Sequence, residues 1–135
     1  MKKNLVLFVF IITASYSFSV KFNNCSRYRT GNFYYHSHSI YNTGSYLSNR
    51  NDSIETEFDM TTKIATRFYI KWIDSCTYET RLLDDMPNVP DSISKRLKET
   101  LVCTTTILEG TKEYYLFVGT TNLWPDITKD TIWVR

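Results

Sequence analysis

The chain has 135 residues, with 16 Lys+Arg against 14 Asp+Glu, two histidines and three cysteines. Two of the basic residues, Lys2 and Lys3, stand at the very start, and without them the charges balance at 14 each. A neutral body with no basic stripe lacks the electrostatic footprint for phosphate backbones, which speaks against nucleic acid as a partner.

Lys2 and Lys3 lead into an apolar run from Leu5 to Ile12, followed by small and hydroxylated residues up to Ser19. A basic start, an apolar run short of the roughly 20 residues a span requires, and small residues at Ser17 and Ser19 predict a signal peptide at 1–19. Residues 20–135 then form a single β-rich domain that is exported to the periplasm, the outer surface or the medium and does not span the membrane. The same run could instead be an anchor or a buried helix. Cys25 could be the lipidated first residue of a lipoprotein, although Phe22, Asn23 and Asn24 depart from the small or aliphatic residues which that chemistry prefers.

Beyond this point Tyr, Phe, Thr, Ile and Val dominate, punctuated by Gly and Asn/Asp clusters, as strands and tight turns require. Thr30-Gly31-Asn32 turns into a first strand through Phe33-Tyr34-Tyr35. His36 and His38 follow in the loop after it, where strand spacing would point both imidazoles the same way. Two histidines begin a metal site but do not close one, and no further ligand stands at a recognisable spacing. A second strand covers Ser45 to Arg50, and Asn51-Asp52 reverses the chain into Ser53 to Phe58. In that third strand Ile54, Thr56 and Phe58 share one face, and Glu55 and Glu57 are predicted to face water.

Thr61-Thr62-Lys63 turns the chain again, and a long extended run follows from Ile64 to about Leu83. Its even positions, Phe68, Ile70, Trp72, Asp74, Cys76, Tyr78 and Leu82, form the core face. Asp74 is the one carboxylate there, and burial without a partner would be costly. It either makes an Asx-type bend with Ser75 or acts as a binding or acid–base carboxylate beside Trp72 and Tyr78. Residues 84–90 read as a loop, and Asp91-Ser92 caps a short helix with Ile93 and Leu97 on one face. Strands resume at Leu101 to Leu108, Tyr114 to Val118 and Asp130 to Val134. Seven or so sequential strands predict a mainly β fold, a small antiparallel meander closed as a lipocalin-like barrel or folded as a sandwich, with one short helix.

In an oxidising compartment two of Cys25, Cys76 and Cys103 pair and one remains free. Cys25 lies in a leader able to cross the end of a sheet and Cys76 faces the core, so Cys25–Cys76 is the expected disulfide. The chain has no glycine-rich phosphate loop, Gly-x-Ser-x-Gly elbow or zinc-protease helix, and no catalytic residue, metal site or cofactor is predicted. Asn24-Cys25-Ser26 and Asn51-Asp52-Ser53 match the glycosylation pattern.

Cys25, Thr30-Gly31-Asn32-Phe33, Arg50-Asn51-Asp52-Ser53-Ile54-Glu55 and Trp72-Ile73-Asp74-Ser75-Cys76-Thr77-Tyr78 together form a pattern. Over residues 25–82 the chain resembles a family of small exported bacterial proteins without an established activity, some of which carry the label DNA topoisomerase IV. The resemblance implies an exported domain, and it supports the Cys25–Cys76 pair because both cysteines belong to the pattern. It does not make a topoisomerase: that activity needs ATPase and DNA-cleaving domains and strong basic character. The reading is a non-catalytic, monomeric binding or structural module whose partner is another protein, a surface polymer or a small apolar ligand held near Trp72, Asp74 and Tyr78. The alternative is a small hydrolase or thiol-redox protein using Asp74, Tyr78 or a free Cys103.

Overall fold

A computed structural model of the chain describes residues 24–39 and 42–135, so the predicted signal peptide and its cleavage site lie outside the described residues. A short 3-10 turn, Ser26–Tyr28, precedes eight strands: β1 (Gly31–Ser39), β2 (Asn42–Arg50), β3 (Ile54–Asp59), β4 (Ala65–Trp72), β5 (Thr77–Leu82), β6 (Cys103–Gly110), β7 (Tyr114–Thr121) and β8 (Ile127–Val134). One helix, α1 (Asp91–Thr100), interrupts the meander between β5 and β6. Each strand pairs antiparallel with the next, and β8 returns to β1, closing a barrel. Closure removes the exposed edges that an open meander of this kind would present. The barrel, rather than the sandwich, is therefore the observed architecture.

The turns are made by side chains that satisfy local backbone N–H groups. Asn51 Oδ1 accepts from Ser53 N (2.9 Å) and Ile54 N (2.8 Å) between β2 and β3. Asp59 Oδ1 accepts from Thr61 N (2.7 Å) and Thr62 N (3.2 Å), and Lys63 takes a left-handed φ of 63° to finish that reversal. Asp74 Oδ1 accepts from Cys76 N (2.7 Å) and Thr77 N (2.8 Å). The long run from Ile64 to Leu83 is thus a hairpin, β4 and β5, bent at Asp74. Thr111 Oγ1 performs the same task for Glu113 N (3.1 Å) and Tyr114 N (3.3 Å) between β6 and β7.

Register fixes which side chains enter the barrel. Phe33 lies opposite Ser48, Tyr35 opposite Tyr46, Arg50 opposite Glu55, and Ser48 opposite Glu57. The prediction that Glu55 and Glu57 face water is overturned: they point inward, while Ile54, Thr56 and Phe58 lie half-buried on the outer face. The pairing with Arg50 and Ser48 provides the physical reason, since an inward guanidinium demands a carboxylate beside it.

One end of the barrel is solid. Cys25, Tyr28, Phe33, Ile70, Cys76, Tyr78, Ile107, Tyr115 and Ile132 form a single buried cluster. The Cys25–Cys76 disulfide ties the leader across this end and closes a span of 51 residues, worth about 3–4 kcal/mol by loop-closure entropy. Because the Cys25 sulfur sits in that bond, it is not available for the thioether of a lipoprotein. Tyr28 follows, fully buried, with its ring 4.7 Å from that of Tyr115 and its hydroxyl donating to Thr111 O at 2.6 Å.

The helix differs in detail from expectation. Its N-cap is Pro90, without a side-chain cap, and Ile93 is 49% exposed. The buried helix residue is Ser94, whose hydroxyl accepts from Met86 N at 2.8 Å, and Lys98 pairs with Asp85 at 3.1 Å. The inward helix position thus serves the polar backbone of the preceding loop. His36 and His38 are also placed differently, within β1 rather than in a loop after it.

A β-bulge between Ile107 and Glu109 brings Gly110 under Tyr28. A Cβ at Gly110 would collide with the Tyr28 hydroxyl and lie 2.8 Å from Tyr115 Cβ and 2.9 Å from Tyr114 O. Gly110→Ala should therefore lower stability by about 1–3 kcal/mol. Gly119→Ala, which meets nothing closer than Phe117 at 3.4 Å, should be nearly neutral. Urea unfolding of the two variants checks this, and equal midpoints would contradict it.

Candidate functional site

Arg50 ends β2 with its side chain 1% exposed, and Glu55, second in β3, has its side chain 5% exposed. Arg50 Nη2 donates to Glu55 Oε1 at 2.7 Å and to the Tyr78 hydroxyl at 2.9 Å, and Nη1 donates to Tyr28 O at 3.1 Å. The guanidinium carbon lies 4.8 Å from the Phe33 ring centroid and 4.7 Å from that of Tyr78. The Ser48 hydroxyl donates a very short hydrogen bond to the same Glu55 oxygen. A planar cation held by a carboxylate and two aromatic faces is the arrangement in which arginine tolerates loss of water. Although burial opposes its charge, the nearby Glu55 holds Arg50 protonated, and burial pushes the Tyr78 hydroxyl well above its ordinary range.

Beyond Arg50 the barrel is hollow. A cavity of about 520 Å³ is walled by Tyr35, Glu57, Phe68, Phe117 and Ile132 among others, with Arg50, Glu55 and Tyr78 as its floor. The size falls within the range typical of small-molecule sites. Inward positions at this level are small, Thr80, Cys103, Thr105, Gly119 and Thr128, which is why the strands enclose space instead of packed side chains. The rim bears Trp124 and Asp126 from the loop between β7 and β8, with Asp130 on β8. β1 and β8 pair from Phe33/Val134 to Tyr35/Ile132, and past that point Ser37 and Asp130 flank the cavity. Leu123, Trp124 and Ile127 stand exposed beside this mouth.

Glu57 is the unusual group in the wall. Among the described residues it forms no ion pair, since the buried guanidinium is held by Glu55. Tyr35 hydrogen-bonds to its carboxyl and stacks on Tyr46, centroids 5.0 Å apart. Burial, and then the charge of Glu55, push Glu57 up to about 8, with the Tyr35 hydrogen bond and Arg50 opposing the shift. At neutral pH the cavity therefore contains a protonated carboxyl that ionises readily if a cation arrives. Burial and the charge on Glu57 likewise push Tyr35 well above its usual range.

The residues singled out in the sequence are distributed as follows. Tyr78 reaches the cavity floor. Trp72 packs on Tyr78 with ring centroids 4.8 Å apart and lies under the Arg29 guanidinium at 4.6 Å. Asp74 occupies the exposed turn that it caps, away from the cavity. Cys103, the free cysteine, lines the cavity, where burial and then Glu57 raise its thiol above the ordinary value. That works against the thiolate which thiol chemistry requires. His36 and His38 have ring centroids 4.6 Å apart; His36 contacts Ser45 Oγ at 2.9 Å and His38 contacts Asp130 at 3.1 Å. Among the described residues no group of three or more His, Cys, Asp or Glu side chains converges as a metal site.

Sequence reasoning missed Arg50, Glu55, Glu57 and Tyr35. The available signal was Arg50 and Glu55 flanking the Asn51-Asp52 reversal, which sets opposite charges across a hairpin. Compared with known proteins, the chain matches no family model and no curated sequence. Among the described residues no helix is long and apolar enough to cross a membrane.

Glu57 imposes a definite pH dependence. Below about pH 4.5 its carboxyl is protonated in both folded and unfolded chains, and burial has no ionic cost. From there to about pH 8 the unfolded chain releases a proton that the folded one keeps, so stability falls as pH rises, by at most about 1.4 kcal/mol per pH unit. Above that range both forms ionise and the loss stops. Urea unfolding between pH 5 and 8 should show the decline in the wild type relative to Glu57→Gln; parallel curves would contradict it.

Proposed function

We propose that this domain is an exported, non-catalytic binding protein that holds a small, mainly apolar molecule inside the barrel. The observation behind this reading is the cavity of about 520 Å³ between Phe68, Phe117 and Ile132, open at the rim by Trp124 and solid at the other end. A barrel needed only as a structural spacer would gain stability by filling that volume with larger side chains. The disulfide agrees with an oxidising compartment, as do the basic-apolar start of the sequence and the likeness to small exported bacterial proteins.

Hydrolase or thiol-redox chemistry has weaker support. Asp74 is committed to a turn, the Tyr78 hydroxyl to Arg50, and the Cys103 thiol is held protonated. A transport or storage role needs only what the cavity offers: apolar walls for a ligand body and a few inward polar groups for orientation.

N-phenyl-1-naphthylamine, a neutral fluorophore, tests the reading. It should bind the wild type with micromolar affinity and enhanced emission. Gly119→Trp, which projects an indole into the cavity from β7, should weaken binding at least tenfold with little change in unfolding midpoint. Absence of binding to the wild type, or equal binding to both proteins, would overturn the reading.

A further inference from the structure

The inward acidic side chains around the cavity outnumber the inward basic ones among the described residues. β3 sends two carboxyl groups into the barrel, Glu55 and Glu57, and the Arg50 guanidinium pairs with Glu55. Arg50 is already engaged by Glu55, the Tyr78 hydroxyl and Tyr28 O and lies between two rings, so it cannot swing toward Glu57 without abandoning a buried carboxylate. Such a break would be strongly destabilising. Glu57 is left facing the cavity with the Tyr35 hydroxyl as its polar neighbour. The rim adds Asp126 and Asp130, and among the described residues no lysine lines the wall. His38, exposed at the edge, meets Asp130 and can offset it only when protonated.

We propose, building on the binding role above, that the ligand is a hydrophobic amine, an organic monocation whose apolar body lies along Phe68, Phe117 and Ile132 and whose ammonium group meets Glu57. An ammonium supplies the cation that lets Glu57 ionise, and three N–H donors for Glu57 and neighbouring acceptors. The acidic rim steers a cation inward and repels a fatty acid. The groups facing Glu57 are Tyr35 on β1, Arg50 on β2, Glu55 on β3 and Cys103 on β6. Arg50 stays protonated and paired with Glu55, and the Tyr35 and Cys103 shifts are upward, away from neutrality. Below about pH 8, the amine enters as ammonium and the Glu57 carboxyl loses its proton to solvent as the ion pair forms. Binding therefore releases up to one proton per ligand and tightens as pH rises toward that value.

Isothermal titration calorimetry with three probes of equal length, n-octylamine, 1-octanol and octanoate, tests this at pH 7 in buffers of different ionisation enthalpy. Octylamine should bind about tenfold or more tighter than octanol, with octanoate weakest, and only octylamine should release close to one proton. Glu57→Gln should bring octylamine down to the octanol affinity and abolish proton release. Octanol binding as tightly as octylamine, octanoate binding tightest, or no proton release from the wild type would overturn the amine assignment while leaving a carrier in place. If none of the three binds, the carrier reading falls and the amine with it. The probe ranking and proton count come from the wild type, so they stand even if Glu57→Gln folds poorly.

Discussion

Arg50 must keep a full positive charge inside a barrel of about a hundred residues, and much of the structure is arranged around that demand. Removing a guanidinium from water costs several kcal/mol unless its donors and faces are matched. Here the Nη donors meet Glu55, Tyr78 and the Tyr28 carbonyl, and the faces meet Phe33 and Tyr78. The Tyr28 carbonyl is in place only because the leader crosses the barrel end, and Cys25–Cys76 holds that leader down. Four separate pieces of chain, the leader, β1, the β2–β3 hairpin and β5, thus converge on one cation.

The same arrangement divides the barrel into two unlike halves. Near the disulfide the inward residues are large, with Tyr28, Phe33, Tyr78 and Tyr115 packed to exclude water. Toward the rim they shrink to Thr80, Cys103, Thr105 and Gly119, and the volume stays open. Glu57 lies at the boundary. One register step along β3 from Glu55, it is inside the barrel by the alternation of the strand but beyond the cation that would neutralise it. A hollow end with an uncompensated acid is a poor structural solution and a sensible binding one.

How much of this was legible in the sequence depended on the range of the interactions involved. Asn51 and Asp74 announced their turns because an Asx side chain caps its own backbone two and three residues on, a purely local event. The Cys25–Cys76 pair was legible from cysteine arithmetic and from the strand phase of Cys76. The orientation of β3 was not. Ile54, Thr56 and Phe58 look like a core face, yet the outer face of β3 is itself half-buried, and hydrophobicity alone does not choose between the two sides. The choice was made by Arg50, whose inward direction follows from Phe33 and Tyr35 through the β1–β2 register. The cavity was less legible still, because it depends on small residues from four strands meeting at one level.

Glu57 connects the fold to the proposed role: the inward acid is tolerated in the empty barrel by holding its proton and becomes useful when a cation enters. Its ionisation can be observed directly by the side-chain carboxyl carbon resonance in a ¹³C-labelled sample titrated without ligand. The expected result is a Glu57 midpoint near pH 8, well above that of a solvated glutamate. A midpoint near 4.5, the ordinary value, would mean that the carboxylate is solvated or paired in the folded barrel and would contradict the account.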